Sequence, residues 1–534
     1  MSKKHGIWTK LMALCLTLLL AVGVFGTTVS AAIQQDATGT ITVKGVEDNG
    51  VTVSVSAYQV MTVNFNIANQ QPEEPVYRWR TEVAAWVRTN YPEYIGTDDS
   101  VEEAFSSATA DQIAAFYDAL AAEIKSGRIS LTPQGKTTVT GATTGTIANL
   151  PMGAYLILIE GGTHVYKPSV VNIVPKYEET TGWTMDNPTV EVKSSPMPFD
   201  KTVNEEVEDG HDENVSDQGA IGSTVNFDLR ANVPQYPENA TAKQYAISDT
   251  LSSGLTLVED SIEVYGVKPD GSEEPLTEGT HYTMSTTRPD TNAVTSFTLN
   301  FDYDQIKSYE KIHVVYQAVI NADAVVGEPG NPNDAHLIYN NNPYDNSSWK
   351  DIPDNVKVYT YGLKVNKVGE SDRLLPGAEF TLSMNKDGSK PLNFVKMSDG
   401  NYRLSTDKDT EAEIAARTTT LVVDADGHLT IKGLAVGTYY LTETKAPAGY
   451  NKLNTPVMIQ IKDDNRNGMP TLNDGTNEFT DGYVELNVEN TKGFTLPTTG
   501  GMGTVLFTAG GIVIMGAAIL LLFVLRRKKA VSDR

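Results

Sequence analysis

The chain has 534 residues, with 42 Lys+Arg against 67 Asp+Glu, a formal charge of −25, one Cys and five Trp. That acidity argues against a nucleic-acid partner, because phosphate binding needs a basic face, and a single Cys excludes an internal disulfide, a CxxC redox motif and a Cys/His zinc cluster. At ~100–200 residues per domain, the length suggests about three domains.

Residues 1–31 read as a secretory signal. Lys3, Lys4 and Lys10 form a basic n-region, Leu11 to Phe25 an apolar h-region, and Val29-Ser30-Ala31 a small-residue cleavage site before Ala32. Cys15 lies in this segment, so the processed chain has no cysteine. Residues 32–193 are expected to form a first domain. Thr40 to Val46 and Val51 to Val60 alternate like strands, and Val101 to Ile124 carries apolar positions at three and four spacing with Gly127 as a stop. Strand character returns at Ala154–Ile159 and Pro168–Val174, and Ser194-Ser195-Pro196-Met197-Pro198 reads as a short stiff linker. A second domain, 194–358, contains candidate strands Thr224–Arg230, Ile262–Val267, Ser296–Phe301 and Lys311–Ile320. A third, 359–492, is read as strand and turn throughout. Short strands about ten residues apart, with turn residues between them, indicate a mainly β chain of tandem Ig-like sandwiches, the first with a helical insertion.

The segment 493–534 has three parts. Leu496-Pro497-Thr498-Thr499-Gly500 precedes an apolar stretch from Thr504 to Leu525, long enough for a ~30 Å hydrocarbon core. Arg526, Arg527, Lys528 and Lys529 follow and favour the cytoplasmic side. In this order the segment resembles the cell-wall sorting signal of Gram-positive surface proteins. The resemblance implies sortase cleavage between Thr499 and Gly500, with Thr499 acylated and passed to an amine. Removing both ends takes eight bases and one acid, leaving 34 bases against 66 acids, or −32.

Gly362 to Leu382 and Val422 to Tyr450 resemble the collagen-adhesin B-type domains of Gram-positive pilins and adhesins, and Tyr440-Leu441-Thr442-Glu443-Thr444-Lys445-Ala446-Pro447-Ala448-Gly449-Tyr450 matches the pilin E-box in full. With the sorting signal, the chain resembles a sortase-assembled major pilin. That family implies internal isopeptide bonds between Lys and Asn side chains, formed without a cofactor or metal. The chemistry has an independent rationale. A Lys amine attacks only when neutral, burial favours the neutral amine, and burial also favours the protonated form of an acid that polarises the Asn amide and shuttles protons.

In the third domain the resemblance places Lys367 in the first strand, Glu443 as the acid and Asn490 in the final strand Tyr483–Asn490. Lys364 competes with Lys367 but faces the other side of the sheet. The second domain resembles the A-type relative, with Lys201 as nucleophile, Asp249 as acid and Asn333 as acyl donor; Asn340 and Asn342 are rivals to Asn333. In the first domain Lys44 and Asn187 occupy plausible strands. There Ile159 stands at the E-box acid position and Glu160 falls one residue late, an offset that turns a strand side chain to the other face.

Val171-Asn172-Ile173-Val174-Pro175-Lys176 resembles the pilin motif, with Val174 in place of the usual Tyr and Lys167 where a Trp is expected. Lys176 is thereby the expected polymerising lysine, with Lys193 as fallback. The implied partners are identical subunits, pilus-type and housekeeping sortases, peptidoglycan, ancillary pilins and host surface ligands. The alternative reading is an ancillary pilin or wall-anchored adhesin. No GxSxG, HExxH or paired-carboxylate signature supports a hydrolase. The Asp424-Ala425-Asp426-Gly427 and Asp463-Asp464-Asn465 loops lack the spacing of an EF-hand loop.

Overall fold

The computed structural model describes residues 33–68, 71–178, 182–205, 215–287, 296–473, 475, 477–493 and 503–532. The leader (1–31) and the Leu496–Gly500 pentapeptide lie outside the described residues. The chain divides into two compact units, one reaching Thr360 and including Arg466–Gly468, the other made of Tyr361–Asn465 and the residues from Met469 onward.

The first unit begins with a five-stranded sheet and a three-stranded sheet. The larger has Thr52–Asn66 at its centre, paired with Gln71–Trp79, Gly135–Thr140 and Gly153–Gly161, and Gly153–Gly161 pairs in turn with Ser169–Ile173. The smaller orders Thr189–Glu191, Thr38–Lys44 and Thr144–Pro151. Alternating Val, Ile and Tyr side chains from the two sheets (Ile41, Val43, Val53, Val55, Tyr155, Ile157) share one core, as a period-2 pattern requires.

The helical insertion differs in detail from the sequence reading. The stretch expected to form one helix is divided into Glu103–Ser106 and Ala110–Lys125. Thr109 causes the restart: its hydroxyl accepts from Gln112 N while the Gln112 side chain accepts from Thr109 N, a capping box that satisfies two otherwise orphaned donors. A further helix, Thr81–Asn90, buries Val83, Ala84 and Val87. Phe116 of the long helix meets Trp79, Phe105 and Tyr94 at centroid separations of 5.4, 5.3 and 5.8 Å, an aromatic cluster that fixes the insertion on its sheet. Pro175–Glu178 and Gly182–Met185 form a separate two-stranded hairpin.

From Phe199 the unit continues as two six-stranded sheets. One runs Phe199–Val203, Thr224–Asn232, Lys311–Ile320, Glu263–Val267 and Glu273–Pro275, with Leu255–Leu257 also paired to Lys311–Ile320. The other runs Ser216–Gln218, Trp349–Tyr359, Asn331–Asn340, Tyr245–Leu251, Ser296–Phe301 and Tyr282–Thr287. Buried Phe227, Leu229, Val314, Tyr316 and Ala318 of the first sheet, and Ile247, Phe297, Leu299, Leu337 and Val356 of the second, form the apolar interior.

The second unit pairs two five-stranded sheets. Tyr361–Val368 lies between His428–Leu434 and the parallel strand Tyr483–Glu489 in one, and Gly437–Lys445 lies between Glu379–Ser383 and Val457–Lys462 in the other. Where the sequence suggests only strand and turn there is a helical turn, Glu411–Ala415, started by a Thr410–Glu413 capping box. The C-terminal helix Gly503–Ser532 contains a 22-residue stretch, Leu506–Arg527, of mean hydropathy 2.5, long and apolar enough to cross a membrane.

Candidate functional site: two buried lysine–acid–asparagine clusters

In the first unit, Lys201 projects from Phe199–Val203, a strand of one sheet, while Asp249 and Asn333 come from adjacent strands of the other. Strand alternation turns all three inward, and each is at most 1% exposed. Lys201 Nζ donates to Asp249 Oδ2 at 2.5 Å and to the Asn333 main-chain carbonyl at 3.1 Å. It also lies 5.4 Å from the Phe227 ring centroid.

Burial pulls the Lys201 pKa down and pushes the Asp249 pKa up, and each shift is opposed by the charge and hydrogen bond of the partner. Both net shifts favour the neutral pair, amine beside carboxylic acid, which is the protonation state needed for nucleophilic attack. Tyr316, from the lysine's sheet, completes the cluster. Its hydroxyl donates to Asp249 Oδ2 at 2.8 Å and accepts from Asn333 Nδ2 at 2.7 Å. The rivals are engaged elsewhere. Asn340 Oδ1 accepts from Gln244 N at 2.7 Å, and Asn342 Oδ1 accepts from Tyr344 N at 3.2 Å.

The second unit uses the same residue types in another arrangement. Lys367 and Val488 are register partners on adjacent parallel strands, and Asn490 stands one residue beyond the end of the Val488 strand. Glu443 comes from the opposite sheet. All three are 1% exposed or less. Asn490 Nδ2 donates to Glu443 Oε2 at 2.8 Å and to the Asn451 carbonyl at 2.6 Å, and Leu453 N donates to the same carboxylate oxygen at 2.8 Å. Lys367 Nζ donates to the Val488 carbonyl at 2.7 Å. Burial lowers its pKa against the opposing pull of Glu443. Lys364 points to the other face, where it pairs with Asp481 at 2.5 Å and lies 4.7 Å from the Tyr483 ring centroid.

The first sandwich of unit one contrasts with both clusters. Lys44, Glu160 and Asn187 are exposed and Ile159 is buried. Asn187 Oδ1 accepts from Thr40 N at 2.8 Å, a structural cap. Lys176 is exposed on the Pro175–Glu178 strand, opposite Thr184 of the hairpin partner, and Lys193 is also exposed. Asp424 Oδ1 accepts from the main-chain N–H groups of Asp426 and His428, so that acidic loop closes as a turn.

Three family models match the chain: a prealbumin-like fold domain over residues 362–476, the Cna-B-like domain of Gram-positive pilin backbone subunit 2 over 221–343, and the LPXTG cell wall anchor motif over 488–531. One chain thus carries a pilin-backbone domain and a wall-anchor motif, and it is similar to Gram-positive backbone pilins. The model over 221–343 is described as B-like, where the sequence reading gave an A-type relative.

The trypsin-resistant surface T6 protein of Streptococcus pyogenes serotype M6 is 27% identical over 434 residues, covering 70% of this chain and 79% of that protein. The fimbrial subunit type 2 of Actinomyces naeslundii is 26% identical over 424 residues, covering 73% and 72%. The solved T6 backbone pilin covers 86% of this chain and is itself covered completely, with a TM-score of 0.55 at 21% identity, a likeness of fold.

The sequence reading missed Tyr316. Its signal was available only indirectly: a Tyr at an inward position in the strand KIHVVYQAVI puts a hydroxyl in an otherwise apolar layer, where it needs a partner. Asn451 and Leu453 were missed because both act through main-chain groups, which any residue type supplies.

Proposed function

We infer that this chain is the shaft subunit of a cell-wall-anchored pilus, in which sortase joins Thr499 of one subunit to Lys176 of the next and the two buried clusters close as Lys201–Asn333 and Lys367–Asn490 isopeptide bonds. The observation that carries the reading is the combination, in one chain, of a pilin-backbone domain and an LPXTG wall anchor. The exposed lysine on the Pro175–Glu178 hairpin supports Lys176 as acceptor. Pro175 lacks a backbone donor and stiffens the approach. A link from Lys176 to Thr499 is heterologous and non-closing, so it produces a filament rather than a ring.

In each internal reaction the neutral lysine nitrogen attacks the Asn side-chain carbonyl carbon. The new N–C bond forms, the old C–N bond breaks, and ammonia leaves carrying the proton released by the lysine. Asp249 and Glu443 handle that proton, and the event occurs once per molecule. Pilus-type and housekeeping sortases, peptidoglycan and ancillary pilins are the corresponding partners.

The test of polymerisation is Lys176→Ala. The high-mass ladder released from wild-type cells should collapse to monomer, and a ladder that persists would refute Lys176 as acceptor. Lys193→Ala should leave the ladder intact.

A further inference from the structure

We propose that Tyr316 is a catalytic residue of the Lys201–Asn333 condensation, relaying the proton from Asp249 to the departing amide nitrogen. The inference rests on the isopeptide reading above. The path is continuous: Lys201 Nζ to Asp249 Oδ2 is 2.5 Å, Asp249 Oδ2 to the Tyr316 hydroxyl 2.8 Å, and that hydroxyl to Asn333 Nδ2 2.7 Å. Asp249 Oδ2 is shared by the nucleophile and the phenol, while the Asn333 nitrogen donates to the phenol.

The ring is rigidly seated. Phe227 stacks on it with centroids 5.0 Å apart, and Phe297 meets it edge-on at 5.1 Å. Burial, then the neighbouring Asp249, hold the phenol well above its ordinary pKa, so it stays protonated and donates rather than ionises.

The proton balance is complete. As Nζ bonds to the Asn333 carbonyl carbon, its proton passes to Asp249. Once the carbon is tetrahedral, Nδ2 has a free lone pair and the Tyr316 hydroxyl turns from Asp249 to donate to it; the proton on Asp249 Oδ2 passes to the Tyr316 oxygen, and the Tyr316 proton passes to Nδ2, which leaves as ammonia. Asp249 and Tyr316 end in their starting states. The Lys367 cluster has no need of a relay, because Glu443 itself contacts Asn490 Nδ2 at 2.8 Å.

The test follows newly synthesised full-length chain by peptide mass mapping, scoring the joined Lys201 and Asn333 peptides against the unjoined pair. Tyr316→Phe keeps the ring and removes the hydroxyl. The Lys201–Asn333 bond should then form about 10²-fold more slowly, the scale of lost proton-transfer catalysis. The Lys367–Asn490 bond in the same molecules should form at the wild-type rate and serves as the internal clock. An unchanged Lys201–Asn333 rate in Tyr316→Phe would overturn the relay while leaving the isopeptide reading intact, whereas absence of the joined peptide from wild-type chain would overturn both.

To separate catalysis from packing, Tyr316→Phe is also made in the Lys201→Ala background. Equal melting temperatures there, with slow joining in the otherwise wild-type chain, support the relay. Replacing Tyr316 with a fluorinated tyrosine, which keeps the ring and hydroxyl but changes its acidity, should alter the joining rate and its pH profile, and a pH profile that does not move would count against it.

Discussion

The Lys201 and Lys367 clusters use the same residue types but divide them differently between sheets. In the Lys201 cluster the nucleophile stands on one sheet, and the acid and amide stand on neighbouring strands of the other. A bond there ties the two layers of a sandwich together. In the Lys367 cluster, lysine and amide come from neighbouring parallel strands, and only the acid crosses from the facing sheet. A bond there ties the first strand of the unit to its last. The two clusters therefore bring the same residue types together without sharing a strand pairing. What they share is three side chains converging in the dry layer between sheets, where burial disfavours the charged forms of Lys201, Asp249 and Lys367.

The same contrast governs how each acid is held. Glu443 accepts from a main-chain N–H as well as from the Asn490 side-chain amide. Asp249 has side-chain donors, an amine and a phenol. The largest expected effect is therefore shared, and the smaller ones separate the two sites.

The intact mass of residues 32–499 should fall short of the sequence mass by two ammonia units, about 17 Da each. A mass equal to the sequence would refute both bonds. Glu443→Ala and Asp249→Ala should each restore one unit, and each should lower the melting temperature sharply. A cross-link closing a loop of more than 100 residues removes about 5 kcal/mol of unfolded-chain entropy in the chain-entropy treatment of such links.

Next in size is the effect of stranding an acid. Lys201→Ala removes the side chain that opposes the upward shift of Asp249, so the folded-state pKa rises further above the ordinary 3.8. An acid whose pKa is higher folded than unfolded loses stability as pH increases from its unfolded value toward its folded one. Lys201→Ala should accordingly weaken from about pH 4 upward, by about 3 kcal/mol at neutral pH beyond the loss of the bond. A pH slope in denaturant melts no steeper than that of the wild-type chain would refute the stranded acid.

The smallest effect is a control on the strand that carries Tyr316. His313, three residues earlier and on the other face, hydrogen-bonds Asp228 at 2.9 Å and Glu273 at 3.1 Å, with Arg230 nearby. Burial opposes its charge, but the bond and charge of Asp228, helped by Glu273 and against Arg230, raise its pKa above 6.5. Its stabilisation is therefore complete below pH 6.5 and fades as pH rises through the raised value. His313→Gln should cost about 1 kcal/mol at pH 5.5 and progressively less as pH rises through the raised value, while both cross-links still form. Loss of the Lys201–Asn333 bond in this variant would mean that the whole strand, rather than the Tyr316 hydroxyl, supports the reaction.

Much of this was legible in the sequence because it depends on local pattern. Alternating Val, Ile and Thr announce strands, and the strands Ser296–Phe301 and Lys311–Ile320 have the bounds read from pattern alone. The three-part C-terminus and the E-box are contiguous motifs, and Lys364 and Lys367 separate by a parity rule that needs only the strand period. Short-range capping was written there too, in Thr109 with Gln112 and Thr410 with Glu413, but it was outweighed by the longer helical period in one case and by strand propensity in the other.

Tertiary structure decided which groups meet. Asn333, Asn340 and Asn342 share one Asn-rich segment, and only sheet register puts Asn333 against Tyr316 while the other two close local hydrogen bonds. It also placed Lys201 and Asn333 on opposite sheets, and Lys367 beside Val488 in one sheet. Neither arrangement follows from spacing along the chain, because strand order is set by long-range burial. The lone Cys and the acidic charge described a processed chain without disulfides. The packed interior supplied what those facts left open, two dry layers in which lysine and asparagine are brought within reach of an acid.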